Sequence, residues 1–209
     1  MRPRTLFLAA LMLLAACERK NVRPSFSPDA LRVVLASEAE LHKLGPAADD
    51  LVRRPWVGPI VQLLAEETPD NLTHMRRNRI AGSGTTPDAL FERGLANLRK
   101  ISSQSIQDRT VQMAKAAVQI TRFADVHTAG RLLLPELWSK VAATSGGQLY
   151  AAAPARDIVV WTTSVAESDQ AALRGQARTA YQSRSDPISP AILRWTGSGW
   201  SLEDVNPIP

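Results

Sequence analysis

The chain has 209 residues, with 25 Lys and Arg against 20 Asp and Glu, 14 Pro, 11 Gly and one Cys. That composition excludes a disulfide scaffold, a coiled coil, a collagen-like repeat and a multi-span membrane protein, and leaves enough chain for one substantial core. Part of the formal charge of +5 lies in a segment not expected to fold with the rest: residues 1–5 are short and basic, and residues 6–16 form an unbroken apolar run of 11. At about 1.5 Å per residue, such a helix falls short of a hydrocarbon core about 30 Å thick, so it reads as a secretory signal rather than a permanent span. Removing these 16 residues takes 209 to 193 and, with Arg2 and Arg4 gone, takes the charge from +5 to +3.

Leu14-Ala15-Ala16-Cys17 closes the apolar run. It resembles the bacterial lipobox, in which small residues admit a peptidase and the cysteine thiol takes a diacylglyceryl group through a thioether. The resemblance implies a signal peptide over residues 1–16 and lipid attachment at Cys17, where two or three acyl chains hold far more firmly than one. Glu18 stands where Asp would signal inner-membrane retention, so in a Gram-negative host the implied location is the outer membrane, facing the periplasm. Residues 17–27 are polar, contain Pro24 and lack hydrophobic periodicity, which predicts a linker of at most about 30 Å. The folded domain is expected over residues 28–209.

In chain order, residues 31–36 (LRVVLA) fit a strand, but Ser27-Pro28-Asp29 is also a helix start and the element stays ambiguous. Residues 49–59, with Pro55, Gly58 and Pro59, predict a loop. Residues 60–65 (IVQLLA) predict a buried strand, with a turn at 68–71 and a hairpin partner at 72–75. Thr86 as N-cap, Pro87 at the first helical position and Asp88 near the positive dipole end predict a helix whose apolar face carries Leu90, Gly94, Leu98 and Ile101. Residues 118–121 alternate as a strand, and 131–143 (RLLLPELWSKVAA) predict a helix with Pro135 near its start.

Residues 148–152 and 157–162 predict antiparallel neighbours joined by Ala153-Pro154-Ala155-Arg156. Ser164 with Glu167 has the form of a capping box, opening a helix with Leu173, Ala177 and Tyr181 on one face. Residues 192–195 and 200–202 flank Thr196-Gly197-Ser198-Gly199, a four-residue hairpin turn. Hairpins interrupted by single helices predict an α+β fold, a mostly antiparallel sheet with about three packing helices.

Several stretches carry a family resemblance: TPDAL at 86–90 with GLANL at 94–98, LLLPELWSKV at 132–141, QLYAAAPARDIVVWTTS at 148–164, and SDPISPAILRW ending at 195. Over about residues 60–204 they resemble the YtpQ-type bacterial family, which brings an α+β domain and no known reaction. Members of that family resemble cytosolic proteins without a lipobox.

His42, His74 and His127 are isolated, with no HExxH or other close ligand spacing, so no metal and no cofactor is expected. There is no GxSxG, GxxxxGK[ST] or GxGxxG, and no serine has a context that marks it as a nucleophile. Two groups stand out. His74, Arg76, Arg77 and Arg79 form the densest basic cluster, a candidate contact for an anionic surface, against the simpler reading of a solvated loop. Arg156 and Asp157 are a candidate ligand-binding pair through the guanidinium fork, against a pair that merely fixes a turn. At Trp138, Trp161, Trp195 and Trp200, aromatic burial is preferred to a sugar-stacking groove.

The preferred expectation is a membrane-tethered envelope lipoprotein with a non-catalytic domain that binds an envelope protein or an anionic surface component. The alternative is an envelope hydrolase acting on peptidoglycan or lipid through scattered residues. Convergence of Arg156, Asp157 and a histidine on a pocket would favour an enzyme or small-ligand binder, and a flat apolar patch a protein partner. Nucleic acid is not an expected partner, because +3 over 193 residues is a weak field.

Overall fold

A computed structural model describes residues 26–81, 83–113 and 116–203; the signal segment, Cys17 and the linker up to residue 25 lie outside the described residues. The fold is α+β, with antiparallel sheets and a few helices. The first sheet holds β1 (Leu31–Ser37), β2 (Arg53–Val57), β3 (Ile60–Thr68) and β4 (Asn71–His74). β3 is its spine: β1 pairs along one edge, while β2 and β4 share the other, pairing with residues 60–63 and 65–68. The ambiguous segment after Ser27 is thus a strand, and the Pro-rich stretch expected to loop contains β2. Pro55 is tolerated because β2 is an edge strand with a register shift between Pro55 and Val57, where a missing N–H costs no ladder bond.

The second sheet runs in the order β10 (Trp200–Leu202), β9 (Leu193–Trp195), β7 (Tyr150–Ala155), β8 (Ile158–Thr162), β6 (Gln119–Thr121), β5 (Thr110–Gln112), every neighbour antiparallel. β7 continues through Pro154 and Ala155, so the connection to β8 is only Arg156-Asp157, shorter than the four residues expected. Besides the short α1 (Glu38–His42) and α2 (Arg77–Ile80) there are three longer helices, α3 (Pro87–Lys100), which lies on β1, α4 (Pro135–Ala143), and α5 (Glu167–Ser183), which lies on β7 and β8.

α3 begins as the sequence predicts, with Thr86 Oγ1 accepting from Ala89 N–H at 3.3 Å and Pro87 in the first turn. The expected helix over 131–143 divides instead: a 3₁₀ turn (Ala129–Leu133) precedes α4, whose first residue is Pro135, because proline supplies no N–H for an earlier turn. The capping box at Ser164 does not form. Ser164 Oγ accepts from Ala166 N–H at 3.2 Å, two residues on, and its carbonyl accepts from Gln170 Nε2, so α5 starts at Glu167.

One core joins the two sheets. Leu31, Val33, Leu35, Ile60 and Leu64 from the first meet Ala151, Ala153, Val159, Trp161 and Leu193 from the second, with Phe91, Leu98 and Trp138 between. α5 covers the other face of the second sheet through Leu173 and Ala177, against Ala152, Val160 and Ile192. Both central strands, β7 and β8, are therefore buried on two faces, which is why their sequences are nearly continuous apolar runs. Phe26 is 8% exposed and belongs to the core, so the folded body starts before the predicted linker ends.

Candidate functional site

The tryptophans pack as T-shaped pairs, with Trp138–Trp161 centroids at 6.3 Å, Trp138–Trp200 at 5.5 Å and Trp195–Trp200 at 5.2 Å. Their indole N–H groups anchor what surrounds them. Trp138 Nε1 donates to Arg131 O at 2.9 Å and Trp200 Nε1 to Leu132 O at 3.0 Å, pinning the 3₁₀ turn that carries Arg131.

The Arg131 side chain is completely buried, stacks at 3.8 Å on Phe123, and donates through Nη1 and Nη2 to both oxygens of Asp125 at 2.7 Å. Asp125 Oδ1 also accepts from His127 N–H at 2.8 Å. Burial works against the charged form of Asp125, but these hydrogen bonds and the neighbouring positive charge hold its carboxyl below the ordinary value. His127, 1% exposed, donates from Nε2 to Glu67 Oε1 at 2.7 Å, and Arg32 Nε lies 2.8 Å from Glu67 Oε2. This buried network ties the loop before the 3₁₀ turn to β1 and β3, and the two arginines match the two carboxylates in charge.

The predicted Arg156 and Asp157 form the turn between β7 and β8. After α5 the chain returns beside it: Ile188 N–H donates to Pro154 O at 2.9 Å, Arg156 N–H to Asp186 O at 3.2 Å, and Pro187 bridges to Ala155. From the other side, Ala129 N–H donates to Arg156 O at 3.0 Å. Three segments thus converge on a depression of about 210 Å³ lined by Val126, Arg156, Asp157, Arg184, Ser185 and Asp186. Asp157 Oδ2 accepts from Arg122 at 2.6 Å and from Arg184 at 3.2 Å, while Arg156 and Asp186 stand 3.4 Å apart.

The basic cluster at 74–79 is divided in space. His74 ends β4 close to Arg156: burial pushes its imidazole pKa down, and the Arg156 charge pushes it further than Asp186 restores. Arg76 is 3.8 Å from Asp50. Arg77 is exposed in α2, with its backbone N–H on Asp50 O. Arg79 donates to Glu66 at 2.7 Å, and the other Glu66 oxygen accepts from Ser27 N–H at 2.8 Å. Although burial opposes its charge, these donors hold the Glu66 carboxyl below its usual range. Residues 71–87 contain no acidic side chain, and the carboxylates facing Arg76 and Arg79 come from Asp50 and from Glu66 on β3.

Sequence reasoning passed over Arg122, Arg184 and Asp186, which meet Arg156 and Asp157 only through the fold. It also passed over Asp125 and Arg131, although a lone arginine within the apolar run 129–134 is itself a signal of a buried pair. His42 is exposed, away from the network around His127. Among the described residues no three His, Cys, Asp or Glu side chains stand together as a metal site, and no helix is long and apolar enough to cross a membrane. No known family, curated protein or solved structure matches the chain.

Proposed function

We propose that this protein is a cell-envelope lipoprotein, anchored through lipid on Cys17, whose α+β domain binds an envelope protein or an anionic surface component without catalysing a reaction. The observation that carries the reading is the spacing from lipobox to fold: Phe26, nine positions after Cys17, is already in the core. At about 3.3 Å per extended residue, that holds the domain within about 30 Å of its membrane. The next residue, Ser27, is clamped to Glu66 beside Arg79, so the tether meets the domain next to the basic turn of α2. Near the root of the tether Arg79 and Arg76 stand against Glu66 and Asp50, while Arg77 is exposed, and its charge favours contact with anionic head groups. In a Gram-negative host the proposed place is the outer membrane, facing the periplasm.

Cys17→Ser tests the reading. The parent should incorporate labelled palmitate and sediment with membranes, and the variant should lose the label and appear in the soluble fraction. Equal partition of parent and variant, with no label in either, would remove the lipoprotein assignment. Cross-linking and co-purification of the tethered parent then identifies the bound component.

A further inference from the structure

We infer that the depression between the β7–β8 turn, the segment after α5 and the loop before the 3₁₀ turn is a binding site for a phosphate group, gripped by Arg156 and Arg184. The inference rests on the reading of the domain as a binding module and does not depend on the tether.

Size selects a small ligand. About 210 Å³ is below the roughly 300–1,000 Å³ of sites that enclose drug-sized molecules, and it suits a phosphate or the head of a phosphate ester. Charge favours an anion, because Arg122, from outside the lining, takes up the Asp157 carboxylate at 2.6 Å and leaves the Arg156 and Arg184 guanidinium groups facing the Asp186 carboxylate. The Arg156 contact to Asp186 is long, at 3.4 Å, and Asp186 is 57% exposed, so a ligand oxygen can replace that carboxylate at little cost. Asp157 is held mainly by the 2.6 Å contact from Arg122, which leaves Arg184, at 3.2 Å, free to turn its fork towards a second oxygen.

Burial lowers the imidazole pKa of His74, at the end of β4, and the charge of Arg156 lowers it further. Backbone hydrogen bonds from Ala129 to Arg156 and from Arg156 to Asp186 fix the main chain of the walls, so that only the guanidinium groups reorient when a ligand arrives.

The test is calorimetric titration of the full chain in detergent, at low ionic strength, with inorganic phosphate, glycerol 3-phosphate and acetate. Saturable phosphate binding is expected, weakened about tenfold or more in Arg156→Gln/Arg184→Gln and unchanged in Arg194→Gln, since removing charged donors from an oxyanion costs at least that factor. Asp186→Asn removes a competing carboxylate and should tighten binding, a gain that misfolding does not produce. Binding of phosphatidylglycerol vesicles in the same variant-dependent manner identifies the source as a lipid head group; binding of glycerol 3-phosphate without vesicle binding identifies a soluble ester. Absence of saturable phosphate binding, equal affinity for acetate, or binding that survives the double substitution overturns the proposal and leaves the tether reading to its own fractionation test. Release of inorganic phosphate from glycerol 3-phosphate would keep the site and overturn the non-catalytic reading.

Discussion

Arg131 and Asp125 meet through two 2.7 Å hydrogen bonds with the guanidinium wholly buried, whereas Arg156 and Asp186 meet once, at 3.4 Å, with the carboxylate 57% exposed. The residue types are the same and their physical roles are opposite. In the buried pair each partner is the other's replacement for lost water, so neither can leave without stranding a charge. In the exposed pair water competes for both groups, the mutual attraction is weak, and the donors stay available to a third party. An arginine–aspartate contact therefore says little about function until its burial and geometry are known.

The sharpest way to break this contrast is Asp125→Ala. It should destabilise the fold by about 3 kcal/mol, at the lower end for a broken buried pair because Asp125 itself is 35% exposed, as read from urea denaturation. A loss under about 1 kcal/mol would place Arg131 in the same class as the surface arginines. The same pair predicts a pH response. The folded pKa values of Asp125 and Glu66 are lowered, so their stabilisation is fully present above the unfolded values of about 4 and is lost as pH falls through the folded values. Asp125→Ala should flatten that acid slope in a stability–pH series; an unchanged slope would show that Asp125 does not carry it.

The contrast extends to glycines. A Cβ on Gly94 would sit 2.9 Å from Val33 Cγ2 and 3.2 Å from the Arg32 backbone carbon, where α3 lies on β1. Gly94→Ala should cost about 1–3 kcal/mol by overpacking. Gly175, on the exposed side of α5, has nothing within 4 Å of such an atom, and Gly175→Ala should stabilise by about 0.5–1 kcal/mol. Thermal unfolding of both reads the sign directly, and like signs would refute the packing argument. The smallest effect is expected for Arg156→Gln/Arg184→Gln, a change within about 1 kcal/mol, since exposed ion pairs contribute little. A larger loss in the same assay would make that cluster structural.

Elements with a local cause were legible. The N-cap at Thr86, the hairpin around residues 196–199 and the apolar runs of β3 and β8 follow from periodicity and turn chemistry within a few residues. Elements set by distant partners were not. β2 is a strand despite Pro55 because β3 supplies the ladder on one edge only, and the start of α5 moved because Ser164 and Gln170 bond each other rather than closing a cap. The candidate site divides likewise. Arg156 and Asp157 were visible as an adjacent charged pair in an apolar setting, while Arg122, 35 positions from Asp157, reaches it because β6 pairs β8, and Arg184 and Asp186 reach the pair because the chain after α5 returns along β7.

The sequence by itself determined the α+β class, the three long helices and the signal-like apolar segment ending at Cys17, because each depends on the order of apolar and polar residues along a short window. Only the tertiary structure decided which charges are spent and which remain available. Arg79 is drawn to Glu66, Arg131 to Asp125, and His74 to the neighbourhood of Arg156. Coulomb attraction and desolvation depend on distance and burial through space, and neither quantity exists until the strands and helices have packed.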